Sequence, residues 1–331
     1  MLTILMATRN RAQILREVLD SYRRIVPPHD GWKLVVIDNG STDETTQVLD
    51  SFQNRLPLQA LSESRPGKSC ALNTGLKLAS GDLCVFTDDD TFPEETWLIE
   101  LRKAADTHLA YMMFGGAVTP RWESKPVPEY LTWIDQKITY GIRTLKEGPI
   151  PPHLVTGANM MIRKSIFDSG IGFDPVMMAP RADGFPMGDE TELLERLGRQ
   201  GYKAWHVPTA IVEHLIQKSQ MTKDWILHRA VRFGRGIFRL RQAENPMKFA
   251  AYPFGIPIRN LIRLVKPSIR MAAAHVTRNE RARFVSHWKF NYLLGMFLEA
   301  GYYRHEQEAF KAATLRAALE VGRASAWRGK S

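Results

Sequence analysis

The sequence has few cysteines and no long apolar run, and these absences exclude several classes of protein. Its 331 residues include two cysteines, Cys70 and Cys84, which give no disulfide framework and are typical of a reducing compartment. No apolar run approaches the roughly 20 residues that a membrane-spanning helix needs. The apolar start, residues 1–6, is followed by Arg9 and Arg11, which favours a first strand over a secretory signal. We therefore expect a cytoplasmic protein.

Charge of both signs is present, but it is unevenly placed along the chain. The net charge is +10, and residues 215–331 carry 22 Lys and Arg against 7 Asp and Glu. Residues 1–214 carry 23 against 28, so a mildly acidic body precedes a basic region. Such a region predicts an anionic partner surface. The sequence contains no recognised nucleic-acid-binding module, which makes nucleic acid the weaker alternative to a membrane surface.

Short apolar runs alternate with helical periodicity in the first part of the chain. The predicted strands are residues 2–7, 33–37, 58–61 and 83–86, and the predicted helices include residues 12–25 and 68–79. This alternation indicates an α/β fold with a mostly parallel central sheet flanked by helices. Further strands are predicted at 112–118, 154–162, 203–207 and 210–213, with a helix at 190–199. We expect a domain over residues 1–220 and a basic helical region over 221–331.

Three consecutive carboxylates, Asp88 to Asp90, follow the strand predicted at residues 83–86. Open α/β sheets bind ligands at the carboxyl ends of their strands. Adjacent carboxylates repel one another, and a divalent cation such as Mg²⁺ or Mn²⁺ removes that repulsion. The alternative interpretation is an acidic surface turn. Pro93, followed by two acids, predicts the start of the next helix.

Two further residues are expected near the same edge of the sheet. Asp38 follows the second strand, where an acid commonly binds a ribose or a base, although a simple turn explains it equally well. Lys68 begins a predicted helix whose free N–H groups can hold phosphate. The run 67–69 resembles the end of a P-loop, but Ser62 stands where that motif needs glycine, which excludes it.

Later in the chain, two more positions carry groups suited to chemistry. Asp189 and Glu190 lie at a predicted helix start, where acids are also favoured by the helix dipole alone. His214 follows a short apolar run and is either a metal ligand or an ordinary hydrogen-bonded side chain.

The basic region contains an amphipathic helical pattern. Its apolar face is formed by Ile258, Leu261, Ile262, Val265 and Ile269. Its basic face is formed by Arg259, Arg263, Lys266 and Arg270. Such a helix lies on an anionic membrane or packs on a core with its charged side in solvent. Pro267 is expected to kink this helix or to begin a new one.

Taken together and in order, these segments resemble the inverting family 2 glycosyltransferases of the GT-A fold. The resemblance rests on residues 7–11, 36–43, 67–75, 79–82, 86–90, 156–159, 162–164 and 188–194, and on His214. The spacing is most similar to bacterial exopolysaccharide transferases that extend a lipid-linked oligosaccharide.

The resemblance implies a Rossmann-like GT-A domain with a nucleotide-sugar half over about 1–118 and an acceptor half over about 119–220. It implies metal-dependent, inverting transfer of a hexose from a nucleotide-diphosphate sugar, with a UDP-sugar expected. The implied acceptor is a hydroxyl of a glycan or of a lipid-diphosphate-linked oligosaccharide in polysaccharide biosynthesis. The implied location is the cytoplasm or the cytoplasmic face of the inner membrane.

Roles for individual residues also come from the resemblance. It implies nucleotide contacts from Thr8, Arg9, Asp38, Lys68 and Asp88. Asp88 and Asp90 match the D-x-D motif, and with His214 they are the implied ligands of Mn²⁺ or Mg²⁺. Gly157, Ala158 and Asn159 are expected on the sugar and acceptor side. The family usually has Gly-Glu-Asp where this chain has Gly188-Asp189-Glu190, so the base is Glu190 by position or Asp189 by residue type.

Two alternative functions remain open. A sugar nucleotidyltransferase usually carries a glycine-rich loop after its first strand, and residues 7–11 contain no glycine. A non-catalytic module that binds carbohydrate or nucleotide sugar is the other alternative. The presence of Asp88, Asp90 and Glu190 argues against it.

Overall fold

The structure, a computed structural model, describes residues 1–175, 186–244 and 258–303. The chain forms two compact units, Met1–Ile226 and Leu227–Ser331. The strands are β1 (Leu2–Thr8), β2 (Trp32–Asp38), β3 (Leu58–Ser62), β4 (Leu83–Asp88), β5 (Thr91–Pro93), β6 (Met113–Trp122), β7 (Gly148–Ile150), β8 (Asn159–Arg163) and β9 (Ala204–Ile216).

The α-helices alternate with these strands and then dominate the C-terminal unit. They are α1 (Ala12–Tyr22), α2 (Thr45–Phe52), α3 (Lys68–Leu76), α4 (Trp97–Thr107), α5 (Gln136–Tyr140), α6 (Ser165–Asp168), α7 (Asp189–Arg199), α8 (Lys223–Glu244) and α9 (Ile258–Val276). Residues 280–303 form a further helix, α10. Short 3₁₀ turns occupy Glu129–Trp133, Pro152–Leu154 and Lys218–Met221.

All nine strands belong to one sheet, in the order β3-β2-β1-β4-β8-β6-β9-β5, with β7 on β9. The first four strands are mutually parallel, whereas β8 runs antiparallel to both β4 and β6. This mixed α/β architecture confirms the predicted fold class. The parallel pairing is confined to β1–β4 and to the β6–β9 pair.

Alternate residues of the central strands pack on opposite faces of the sheet. Leu2, Ile4 and Met6 of β1 belong to a buried cluster with side chains of α1, α2 and α4. Leu5, between them, belongs to a second cluster with side chains of α3 and α7. Because helices cover both faces of the sheet, the central strands are apolar at consecutive positions. For this reason the sequence shows them as continuous apolar runs.

The register of the parallel strands brings their last residues together. Thr8 at the end of β1 pairs with Asp38 of β2, and Ala7 pairs with Asp88 of β4. Parallel strands place their carboxyl ends at one edge, so the side chains that follow them meet there. This edge carries the candidate site described below.

Several elements differ from the sequence predictions. Pro93 ends β5 instead of starting a helix, and α4 begins only at Trp97. The segment 154–162 is a strand only from Asn159 onward. The two short strands predicted at 203–207 and 210–213 are one strand, β9, whose register against β6 shifts at Gly116/Ala117. That irregularity absorbs Pro208, which has no N–H to donate to a ladder.

The C-terminal unit is helical, and α9 runs through Pro267 as one helix instead of dividing there. Within the unit, Arg239 on α8 and Glu299 on α10 form a buried ion pair at 2.6 Å. The side chains of residues 258–264, and residues 304–331, lie outside the described part of the chain. None of the helices in the described residues is both long and apolar enough to cross a bilayer.

Candidate active site

Lys68 joins two carboxylates from distant parts of the chain. Its Nζ donates a hydrogen bond of 2.6 Å to Asp88 Oδ1 and another to Glu190 Oε1. Asp88 is the last residue of β4, and Glu190 lies in the first turn of α7. Burial favours the neutral amine, but the charges of Asp88 and Glu190 outweigh it and raise the pKa of Lys68. The fold therefore gathers these predicted residues into one site.

The other two acids of the Asp triplet have their own partners. Thr8 Oγ1 donates to Asp89 Oδ2 at 2.7 Å, and Arg11 Nη1 lies 3.2 Å from Asp90 Oδ2. Burial raises the pKa of Asp89 to about 7, assisted by the charge of Asp90. Burial also opposes ionisation of Asp90, but the hydrogen bond and charge of His214, together with Arg11, hold the pKa of Asp90 below its usual value.

Arg11 is a site residue that the sequence-based assignment missed. It belongs to residues 7–11, one of the segments on which the family resemblance rests, so the sequence did point to this position. It was not assigned because no partner for its basic side chain was predicted. Its pKa is raised by Asp89 and Asp90 against the effect of burial. Arg9 from the same run is exposed.

His214 lies beside Asp90, the residue with which it was predicted to bind a cation. Its Nδ1 donates a hydrogen bond of 2.7 Å to the carbonyl oxygen of Tyr140, since a carbonyl can only accept. Its Nε2 lies 3.4 Å from Asp90 Oδ1. A carbonyl partner of this kind is the usual second contact of a metal-binding histidine.

The donor atoms here fit a partial cation site. No group of three or more His, Cys, Asp or Glu side chains stands ready to ligate a metal in the described residues. Asp90 and His214 supply one carboxylate and one imidazole, and the carboxylate is of the oxygen type that Mn²⁺ and Mg²⁺ prefer when substrate oxygens and water complete the shell.

Asp189 and Glu190 differ strongly in their surroundings. Burial opposes ionisation of both acids, but Lys68 outweighs it at Glu190 and lowers the pKa of that carboxyl. Burial and the charge of Glu190 raise the pKa of Asp189, whose Oδ2 also accepts a hydrogen bond of 3.4 Å from Ser69 Oγ. Glu190 is therefore the ionised member of the pair.

Gly157 provides the space in which Glu190 lies. A Cβ atom at position 157 would be 2.3 Å from Glu190 Oε1 and 2.5 Å from its Cγ. Any side chain there displaces the carboxylate, which gives a physical reason for glycine at this position. The sequence had predicted Gly157 as a sugar or acceptor residue without this reason.

Ala158 and Asn159 are placed differently from the prediction that they line the sugar side. Ala158 is buried, and its carbonyl accepts from Thr87 Oγ1 at 3.1 Å. Asn159 is 0% exposed. Its Oδ1 accepts from Trp97 Nε1, and its Nδ2 donates to the carbonyls of Ala117 and Ala210, all at 2.8 Å. The Asn159 side chain thus ties β8 to neighbouring elements and is not available to a sugar.

Asp38 and Asn39 organise the neighbouring loops. Asp38 accepts hydrogen bonds from the Ser41 N–H at 2.9 Å and from Thr46 Oγ1 at 3.3 Å, as an acid in a turn does. Asn39 Oδ1 accepts from the Gly67 N–H at 2.8 Å, directly before α3. Asn39 therefore fixes the loop that delivers Lys68, a role that sequence reasoning missed.

Residues 3–170, just over half of the chain, match the family described as Glycosyl transferase family 2. The chain belongs to this family. It is 24% identical to a probable glycosyltransferase, YdaM, of Bacillus subtilis over 71% of this chain and 54% of that protein. It is 26% identical to TarS of Staphylococcus aureus, a poly(ribitol-phosphate) beta-N-acetylglucosaminyltransferase, over 44% of this chain and 26% of that protein.

The chain thus spans about half the length of the first relative and about a quarter of the second. Among solved structures, the mannosyltransferase PcManGT from Pyrobaculum calidifontis superposes with a TM-score of 0.59 at 19% identity. The match covers 90% of this chain and 86% of that one. These findings confirm the predicted family and the predicted fold.

We predict that Gly157→Ala lowers the rate of the sugar transfer that we propose below by about tenfold or more, since displacement of a reacting group by about 1 Å can cost a hundredfold. The added methyl group moves Glu190 away from Lys68. Steady-state kinetics and urea unfolding together measure the effect. Gly301→Ala is the matched control, because open space surrounds that position. Equal rates in the two variants contradict the assigned position of Glu190.

Proposed function

We propose that this chain transfers a sugar from a nucleoside-diphosphate donor to a hydroxyl group, with inversion at the anomeric carbon. The observation that carries the proposal is the position of Lys68 between Asp88 and Glu190. Through Lys68, the end of β4, where we propose that the donor binds, lies next to the start of α7, where we propose the base. Family membership supports the reaction class.

A nucleotide sugar matches the charges and the edge on which they lie. Thr8 and Asp38 are the last residues of β1 and β2, and Arg9 follows β1, at the edge where α/β sheets hold nucleotides. Lys68 and Arg11 bring two positive charges for a diphosphate. A relative of similar fold, PcManGT, was solved in complex with GDP-Man and Mn²⁺, which is consistent with a donor of this class.

Asp90 and His214 are the residues that would hold a divalent cation in this chain. When bound, such a cation neutralises the charge that develops on the departing diphosphate. The proton on His214 Nδ1, held by the Tyr140 carbonyl, keeps Nε2 directed at Asp90. Arg11 contributes positive charge to the same carboxylate.

Glu190 is the group that we assign as the base. Lys68 holds it ionised, so it can accept a proton from the acceptor hydroxyl while the sugar is displaced. A donor diphosphate competes with Glu190 for Lys68. As that ion pair weakens, the pKa of Glu190 rises toward the range in which a carboxylate is an effective base. Asp189 has a raised pKa and is the alternative by residue type.

We predict that Glu190→Gln lowers turnover by about 10²–10⁴-fold, because the amide cannot accept the hydroxyl proton. Donor affinity, measured by calorimetry, is expected to stay close to that of the wild type. Glu147→Gln, at an exposed position of the same compact unit, is the matched control. Near-normal turnover of Glu190→Gln, together with loss in Asp189→Asn, transfers the role to Asp189.

We also propose that α9 attaches the protein to an anionic membrane surface, where a lipid-diphosphate-linked acceptor is available. In its described half, Val265, Ile269 and Val276 are 53%, 63% and 82% exposed, at spacings of four and seven. Lys266 and Arg270 are exposed beside them. Apolar side chains flanked by basic ones are typical of helices that lie in the membrane interface.

We expect the protein to float with anionic liposomes in a salt-sensitive manner, because α9 combines apolar burial with charge attraction. The double variant Val265→Ser/Ile269→Ser removes the apolar contact and is expected to lose flotation. Val26→Ser/Leu109→Ser removes two exposed apolar side chains elsewhere and serves as the control. Flotation that is absent in the wild type, or equal in both variants, argues against attachment through α9.

A further inference from the structure

A cavity of about 440 Å³ lies among α1, the end of α2, β5 and β6. None of its lining residues is among those assigned to the donor, the cation or the base. Four arginines line it: Arg16 in α1, Arg24 just after α1, Arg55 just after α2 and Arg121 in β6. All four are exposed, so solvent screens much of their mutual repulsion, and a bound anion lowers what remains. The cavity is therefore a candidate anion site that the proposed transfer reaction does not use.

Most of these guanidinium groups have unused donors. Within the described part of the chain, Arg16, Arg24 and Arg55 form no ion pair. Arg121 lies 3.8 Å from Glu213, at the outer limit for an ion pair, and remains exposed. A guanidinium carries five N–H donors in a planar fork, so the cavity offers several donors to one ligand.

Two phenylalanines form an apolar floor of the cavity, and each has an arginine guanidinium over its ring. Arg121 Cζ lies 4.2 Å from the ring centroid of Phe92, and Arg55 Cζ lies 5.7 Å from that of Phe52. Both phenylalanines are buried. Stacking on aromatic rings orders a guanidinium before a ligand arrives, which reduces the entropy lost on binding.

Two acids also line the cavity, and they limit its charge. They are Glu17 and Asp20, so four positive and two negative side chains face the space. Asp20 is bound at 2.8 Å by Arg23, which does not line the cavity. The net charge of the side chains that line the cavity is therefore positive.

We infer that this cavity binds a phosphoryl group attached to an apolar or ring-bearing body. The guanidinium forks match the oxygens of a phosphate, and the phenylalanine floor takes the attached group. The volume falls within the range of small-ligand pockets. The phosphoryl group comes either from a soluble phosphorylated compound or from the headgroup of an anionic lipid.

Arginine footprinting separates these sources on the full-length protein. Phenylglyoxal modifies accessible guanidinium groups, and peptide mass spectrometry reports the rate at each arginine. The reaction is run with inorganic pyrophosphate, with phosphatidic acid vesicles and with phosphatidylcholine vesicles. At a probe concentration about tenfold above its dissociation constant, we expect the rates at Arg16, Arg24 and Arg55 to fall about tenfold, because about nine-tenths of the sites are then occupied, while the rate at Arg23 is unchanged.

Each outcome has a defined meaning. Protection by pyrophosphate supports a soluble ligand, and protection only by phosphatidic acid vesicles supports a lipid headgroup. Absence of protection in both arms overturns the inference, as does equal protection of Arg23. Because these arginines lie outside the transfer site, the result is independent of the proposed reaction.

Variants with matched loss of charge provide the second measurement. Arg16→Gln/Arg55→Gln removes two charges from the cavity, and Lys77→Gln/Lys103→Gln removes two exposed charges elsewhere. We expect affinity for the protecting probe to fall about tenfold in the first variant only. Sugar transfer without the probe is expected to be unchanged in both. Equal affinities in the two variants overturn the inference.

Discussion

The site depends on one half-buried ammonium group placed between carboxylates that would otherwise repel. Lys68 contacts Asp88 and Glu190, whose segments are separated by about a third of the chain. Removing one member of such a partly buried group leaves uncompensated charge in a medium that stabilises it poorly. Arg11 and His214 lie beside Asp90 and likewise offset the negative charge of its carboxylate. The acidic strand end is thus stabilised by side chains even before any ligand binds.

This arrangement explains why particular residue types stand at several positions around the site. Gly157 leaves room for the Glu190 carboxylate, and Asn39 holds the Gly67 N–H so that α3 begins at Lys68. The sheet register brings the ends of β1, β2 and β4 to one edge. In the reaction that we propose, the phosphates of the donor compete with Glu190 for Lys68 and so weaken the ion pair that restrains the proposed base.

The α/β alternation, the edge of the sheet and the Asp triplet were predictable from the sequence, because buried parallel strands are readable as apolar runs. The positions of Arg11, Asn159 and the Gly157–Glu190 contact were not, because they depend on approach between segments far apart in the chain. Asn159 illustrates the difference. Its type suggested a polar contact with a sugar, but its partners are buried groups of α4, β6 and the bulged part of β9. β5 is too short to give a periodic signal.

The central claim is that the acidic edge of the sheet binds a divalent cation together with a nucleoside-diphosphate sugar. Calorimetric titration of a panel of nucleotide sugars, in Mn²⁺ and after chelation with EDTA, tests it most directly. We predict that at least one nucleotide sugar binds about tenfold more tightly with Mn²⁺, and that Asp90→Asn removes the difference. Affinities that are the same with and without the cation for every nucleotide sugar would contradict the claim.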